Sequence, residues 1–132
     1  MMKGRSRRAL LKWMALESIQ DYKYTAETDV WSFGVLLFEL ITLGAAPYGC
    51  INPEDMEKYL KAGNRLEKPQ DCPDHYYELM LRCWQEDPSK RPTFGELKEL
   101  LIALLEEETE DYYIKVIENE ETEEEQAFQV ID

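Results

Sequence analysis

The pattern of apolar residues predicts four helices, of which the first is the most apolar. It covers Thr28–Thr42, and the polar residues that interrupt the apolar run are Asp29, Ser32 and Glu39. Fifteen residues without a turn signal favour one helix over a pair of strands, and Thr25 or Thr28 is a suitable N-cap. A helix that is apolar on nearly every face has to be buried. Because the three helices that follow are short, we expect further packing partners upstream of this segment.

The second and third predicted helices are amphipathic. One extends from Asn52-Pro53 to Gly63, because Asn is a good N-cap, Pro fits the first helical position and Gly ends helices. The other extends from near Asp74 to about Gln85 and carries an apolar stripe at helical spacing. The stripe consists of Tyr77, Met80, Leu81 and Trp84.

The fourth predicted helix begins after Pro92 and leads into an acidic tail. Thr93 and Glu96 have the spacing of a capping box. The apolar residues along one face of this helix are Phe94, Leu97, Leu100, Leu101, Leu104 and Leu105. From Glu106 onward acids dominate, and apolar residues are too few to compensate for the entropy of ordering the backbone. We therefore predict an all-α fold with about four main helices, followed by a flexible acidic tail.

The charge is unevenly distributed along the 132 residues. The net charge is -13 at pH 7, but residues 1–12 carry five basic side chains and no acid, whereas residues 106–132 carry twelve acids and one base, Lys115. The net charge therefore describes mainly the tail and is weak evidence about what the folded part binds. We expect no nucleic-acid partner.

The cysteines and the apolar runs exclude several classes of protein. Cys50, Cys72 and Cys83 are widely spaced, without a CxxC pair or clustered histidines, so neither a disulfide framework nor a zinc site is expected. No window reaches the roughly 18 apolar residues of a membrane span, and no signal-peptide run follows the basic N-terminus. We therefore expect a soluble chain in the reducing cytoplasm.

Three motifs occur in order along the chain. Lys12–Glu17 has the sequence KWMALE, and Asp29–Gly34 has the sequence DVWSFG. Cys83-Trp84 is followed by DPSKRPTF, which begins at Asp87. The first segment resembles the end of the activation segment of a protein tyrosine kinase. The second resembles the buried central helix of the kinase C-lobe, and the third resembles its closing helices.

The resemblance covers roughly Arg8 to Leu105 and divides the chain into three parts. Residues 1–12 correspond to the basic end of the activation segment, residues 13–105 to part of a kinase C-lobe, and residues 106–132 to the flexible tail. The ALES sequence and Gly63–Leu66 most resemble the hepatocyte growth factor receptor and Axl branches. A fragment of a receptor tyrosine kinase is therefore implied.

By resemblance, the complete enzyme transfers the terminal phosphate of ATP to protein tyrosine, with Mg²⁺. The family's glycine-rich loop, phosphate-pairing lysine, catalytic loop and metal-binding aspartate lie upstream of the matching segment. Within the segment, Leu10-Leu11 stands where the family has proline-valine, and Leu16 replaces a family proline. Phosphoryl transfer depends on positioning and charge stabilisation by the upstream parts. We therefore expect the chain alone to be inactive and to bind neither ATP nor metal.

Glu17, Asp29 and Arg91 match structural residues of the family. The resemblance implies a buried ion pair between Glu17 and Arg91 that fixes the activation segment to the lobe. Without the resemblance, both would be taken as surface charges. Asp29 is implied to accept hydrogen bonds from the catalytic-loop backbone, although the helix dipole alone favours an acid in a first turn.

Lys12, Trp13 and Met14 match the loop that receives the substrate segment beside its target tyrosine. The competing interpretation makes Trp13 an ordinary core residue. The implied partners are the rest of the kinase domain and protein tyrosine substrates.

Two tyrosines in the tail are candidates for phosphorylation. Tyr112 and Tyr113 follow five acids among residues 106–111, and Val116 lies three positions after Tyr113. A phosphate would add about -1.5 to -2 charge and create a docking site for SH2-type proteins. A merely solvated tail is the alternative.

A non-catalytic module of another functional class is the alternative to a kinase fragment. It would bind partners through its kinase-derived surface and its tail. In isolation the chain is expected to be unstable or self-associating, because a helix over Val30–Ile41 would expose apolar surface. In a complete receptor it would lie on the cytoplasmic side of the plasma membrane.

Overall fold

The computed structural model describes the backbone of residues 4–131 and the side chains of residues 7–127. In this part of the chain there is no β-strand, and the predicted all-α fold is confirmed. The α-helices in chain order are α1 (Gly4–Leu10), α2 (Leu16–Asp21), α3 (Ala26–Ile41), α4 (Met56–Lys61), α5 (Asp74–Cys83) and α6 (Phe94–Ile131). Short 3₁₀ turns occur at Leu11–Trp13, Pro53–Asp55 and Pro88–Lys90.

Helix α3 is the predicted apolar helix, and its start is fixed by a capping box at Thr25. The Thr25 hydroxyl accepts from the Thr28 amide at 3.3 Å, and the Thr28 hydroxyl accepts from the Thr25 amide at 2.8 Å. The helix therefore begins one turn before its first large apolar residue. Just past its end, the Gly44 amide donates to the Glu39 carbonyl at 2.8 Å. Gly44 has φ +99°, as expected of a glycine that ends a helix.

The core of the first part of the chain lies where α3 packs against α5. Trp31 and Val35 of α3, Met80 of α5 and Trp84 just after α5 are all buried. Gly34 faces the contact, and a Cβ on it would lie 2.7 Å from Trp84 Nε1 and 2.8 Å from Cys83 Cβ. A glycine is therefore required for the two helices to approach this closely.

One side of α3 remains exposed. Leu36 is 48% exposed and Leu40 is 63% exposed, and Leu43 just beyond the helix is 94% exposed. Leu36 and Leu40 lie on the apolar helix that was expected to need packing partners upstream. The described helices therefore cover only part of the α3 surface.

Helix α6 continues far beyond the predicted end of the fourth helix. The structure is helical to Ile131, where the sequence was expected to give a flexible tail from Glu106. Glu is a good helix former, and extending an existing helix avoids the cost of nucleating a new one. The chain divides into two compact units, Met1–Phe94 and Gly95–Asp132.

Candidate functional site

Arg91 is fully buried and is held by several hydrogen bonds in the first unit. Its side chain is 0% exposed, and its three nitrogens donate five hydrogen bonds, which matches the five donors of a guanidinium. Two of them form a bidentate pair with Glu17, at 2.5 Å to Oε1 and 2.9 Å to Oε2. The other acceptors are the carbonyl oxygens of Gln85 at 2.8 Å, Glu27 at 3.1 Å and Glu86 at 3.4 Å. The structure thus brings the predicted residues Glu17 and Arg91 together.

The Glu17 carboxylate is held in its charged form. Partial burial by itself would raise the pKa of Glu17. Hydrogen bonds from Arg91 and from the Glu17 backbone, together with the positive charge of Arg91, outweigh this effect and lower the pKa below its ordinary value. The pair therefore joins α2 to the segment after α5 as an ion pair at neutral pH.

Two guanidinium groups contact the ring of Trp31 in the core. The Arg91 Cζ atom is 5.0 Å from the centroid of the indole ring, and the Arg65 Cζ atom is 4.9 Å from it. Arg65 also donates to the carbonyl oxygens of Trp84 at 2.8 Å and Leu60 at 2.9 Å. Cation–π contacts of this kind are favourable when they are shielded from water. Arg65 therefore joins the segment after α4 to Trp31 of α3 and to Trp84 after α5.

The sequence offered little signal for the part played by Arg65. Its acceptors are main-chain carbonyl oxygens, which any residue carries, and Trp84 is nineteen positions away along the chain. The GNRL sequence supported the resemblance but indicated no contact for its arginine. Only the fold brings these groups together.

The candidate substrate segment Lys12–Met14 is bound along α3. The Ser32 hydroxyl donates to the Trp13 carbonyl at 2.8 Å, and the Trp13 indole N–H donates to the Glu39 carboxylate. Lys12 Nζ donates to the Tyr48 carbonyl at 2.8 Å, and Met14 is 8% exposed. Lys12 and Trp13 are half-buried, so part of each side chain is at the surface while its polar end is bound within the unit.

Arg7, which precedes this segment, binds to α2 and to the residue after it. Arg7 Nη2 donates to the carbonyl oxygens of Ile19 at 2.8 Å and Ser18 at 3.2 Å. The Arg7 guanidinium also lies 4.2 Å from the centroid of the Tyr22 ring. The chain is therefore fixed on both sides of Lys12, by Arg7 before it and by the contacts of Trp13 after it.

Asp29 lies in the first turn of α3 and is exposed. Its amide donates to the Thr25 carbonyl at 3.1 Å, as the helix requires. Among the described residues no hydrogen bond or ion pair of its carboxylate is found. The structure therefore leaves this carboxylate apart from the pair formed by Glu17 and Arg91.

Tyr112 and Tyr113 lie in α6, where they are 67% and 61% exposed. Their rings meet edge to face with centroids 6.3 Å apart. The second unit thus presents both hydroxyls at its surface, but on a helix and not on an extended segment.

No group of three or more His, Cys, Asp or Glu side chains in the described part could hold a metal ion. Within the same residues, no helix combines the length and the apolar character needed to cross a membrane.

A comparison with protein-family models gives a match over most of the chain. The family described as protein tyrosine and serine/threonine kinase matches residues 1–101. The match includes the segment Lys12–Met14, the pair formed by Glu17 and Arg91, and helix α3.

Proposed function

Since the chain belongs to the protein tyrosine and serine/threonine kinase family, we propose that it is the C-lobe part of a receptor-type kinase. The complete enzyme would transfer the terminal phosphate of ATP to protein tyrosine. The observation that carries the proposal is the ion pair between Glu17 and the fully buried Arg91, which fixes α2, just after Lys12–Met14, to the start of α3 and to the segment after α5.

Each matched residue has a proposed role in the complete domain. Glu17 and Arg91 hold the activation segment on the lobe, since a bidentate pair fixes both position and orientation. Asp29 accepts hydrogen bonds from the catalytic-loop backbone, a role supported by its exposed carboxylate at the start of α3. Lys12, Trp13 and Met14 lie beside the substrate tyrosine.

The partly exposed Lys12 and Trp13 suit a surface that a substrate segment contacts. Their polar groups bind Tyr48 and Glu39, so the segment is already ordered before a substrate arrives. An ordered binding segment avoids the entropy cost of ordering it on binding. The proposed substrates are therefore protein segments that contain a tyrosine.

ATP and Mg²⁺ would be held by the upstream part of the domain. Bound there, they supply the phosphoryl group and neutralise the charge that develops on transfer. The chain alone is proposed to be inactive, because the segment it resembles lies downstream of the family's ATP-binding and metal-binding motifs. The exposed Leu36 and Leu40 of α3 are proposed to pack against that upstream part, on the cytoplasmic side of the plasma membrane.

A chimeric kinase tests this function. The corresponding C-terminal part of an active tyrosine kinase domain is replaced by residues 1–105 of this chain. The chimera is then given two peptides that differ only by a tyrosine or a serine at one position. We expect phosphorylation of the tyrosine peptide alone.

The matched variants separate substrate contact from folding. Trp13→Ala in the chimera should raise KM for the peptide while ATP binding is unchanged, whereas Arg8→Ala, at an exposed ion pair with Glu54, should leave both unchanged. A chimera that binds ATP and melts cooperatively but phosphorylates the serine peptide, or neither peptide, would contradict the proposed function.

A second proposal concerns Tyr112 and Tyr113, which are exposed enough for a modifying enzyme to reach. Phosphorylation would make residues 106–122 a docking site for SH2-type proteins, which bind phosphotyrosine through arginine clusters. This function needs no catalytic machinery and fits a non-catalytic interaction module. Pulldown with the phosphorylated and unphosphorylated peptide tests it, and equal SH2 binding by the two forms would contradict it.

A further inference from the structure

Helix α6 carries an apolar stripe on an exposed face. Its members are spaced alternately three and four positions apart, as in the seam of a coiled coil. They are Ile102, Leu105, Thr109, Tyr112 and Val116. Ile102 is 44% exposed, Leu105 is 56% exposed and Tyr112 is 67% exposed. We call these five residues the tail stripe.

The tail stripe borders a shallow groove on the helix surface. The groove has a volume of about 450 Å³ and is lined by Ile102, Leu105, Glu106, Thr109, Glu110 and Tyr113. Its lining is mainly apolar, and Glu106 and Glu110 lie one helical turn apart on the same side of the helix. A helix that fills the groove would place apolar residues on the stripe and its flanking side chains beside carboxylates.

The charge around the stripe restricts what can bind there. Between Glu106 and Glu125 the chain carries eleven acids and one base, Lys115. A second copy of α6 would bring like charges together, which opposes pairing. An anionic membrane surface is opposed for the same reason. A basic partner is attracted by the same acids that repel a second copy of α6 and an anionic membrane.

We propose that the tail stripe binds a basic amphipathic helix of a partner protein. From Ile102 to Val116 the stripe is about 21 Å long, at about 1.5 Å per residue. The partner helix therefore needs about four turns, with apolar residues at alternating spacings of three and four and Lys or Arg on both flanks. Its cations face Glu106, Glu108 and Glu110, which flank the stripe. This surface lies outside Lys12–Met14 and does not depend on phosphoryl transfer.

Three synthetic helical peptides of equal length test the charge and the apolar pattern separately. The first has leucines at the seam spacing and lysines on the flanks. The second has the same composition with the leucines distributed around the helix, and the third has glutamates in place of the lysines. We expect the first to bind the full chain about tenfold or more tightly than either of the others, measured by fluorescence anisotropy.

Two isoleucines in the same helix provide matched variants. Ile102 belongs to the stripe, whereas Ile114 is 54% exposed and lies about a third of a turn or more from it. Ile102→Asn should weaken binding of the first peptide about tenfold, and Ile114→Asn should change it less than about twofold. Far-UV circular dichroism checks that both variants keep the helicity of the native chain.

Several results would overturn this proposal. Equal binding of the first and second peptides would mean that the tail attracts positive charge without a stripe. If the native chain self-associates, and Ile102→Asn abolishes this association while Ile114→Asn does not, a second copy of the chain binds the tail stripe. Binding to anionic vesicles in preference to the first peptide would assign the stripe to a membrane surface.

Discussion

Arg91 joins segments that are distant in the chain, because its five hydrogen bonds reach α2, the start of α3 and the segment after α5. We predict that Arg91→Met lowers the free energy of unfolding by about 3 to 5 kcal/mol, since the partly buried Glu17 carboxylate and three carbonyl oxygens all lose their hydrogen-bond donor. Arg8→Met is the control, because the pair between Arg8 and Glu54 is exposed and such pairs contribute at most about 1 kcal/mol. Urea unfolding measures both, and equal losses would contradict the structural role of Arg91.

The titration of Glu17 makes the stability that this ion pair contributes depend on pH. Its pKa is lowered in the folded chain, so its contribution to stability is present above the ordinary pKa of about 4.3. The contribution is lost as the pH falls through the folded-state pKa. The stability difference between the native chain and Glu17→Gln should therefore be largest near neutral pH and shrink as the pH falls below the ordinary pKa of about 4.3. A difference that is constant over this range, by urea unfolding at each pH, would contradict the ion pair.

The contact between α3 and α5 depends on Gly34. Alanine favours helix over glycine by about 1 kcal/mol, but here its methyl group would overlap Cys83 and Trp84. Overpacking typically costs about 1 to 3 kcal/mol, so we predict a net loss of stability for Gly34→Ala. Gly49→Ala is the control, because the atom nearest to its new methyl group, the Ala46 carbonyl oxygen, lies 3.8 Å away. A thermal melt in which Gly34→Ala equals or exceeds the native chain would contradict this packing.

Helix α6 contains acids four positions apart, such as Glu106 with Glu110 and Glu120 with Glu124. Like-charge pairs at this spacing destabilise a helix by about 0.2 to 0.5 kcal/mol each, and salt screens them. We predict that the helical signal of a peptide of residues 102–125 rises with added sodium chloride. A helical signal that falls or stays constant in circular dichroism would contradict the claim that repulsion between these acids destabilises α6.

The elements fixed by local chemistry were predictable from the sequence. Helix α3 follows from its apolar run and from the threonine at position 25, and α5 follows from its stripe. The helical tail was not predicted, because the prediction was based on the acidic composition and on the entropy of ordering the backbone. It did not include the advantage of extending a helix that already exists. The pairing of Glu17 with Arg91 came from family resemblance, since the two lie 74 positions apart. The contacts of Arg65 and Glu39 depend on the fold alone.

At the scale of the whole molecule, the exposed side of α3 determines how the chain behaves in isolation. Leu36 and Leu40 present apolar surface to water, and surfaces of this kind promote association. We predict concentration-dependent self-association of the chain in sedimentation experiments, which Leu40→Glu reduces. Leu10→Glu, at a leucine exposed outside α3, should leave it unchanged. A chain that remains a monomer at all concentrations would contradict this prediction.

We propose that α3 belongs to a larger kinase domain that covers its exposed leucines. The most direct measurement is hydrogen exchange of the chain mixed with a polypeptide that supplies the upstream part of a tyrosine kinase domain. We predict a one-to-one complex in which the amides of α3 gain protection, and the loss of that complex in Leu40→Glu but not in Leu10→Glu. A chain that melts cooperatively as a monomer, with unchanged exchange in α3 when the upstream part is added, would contradict the claim.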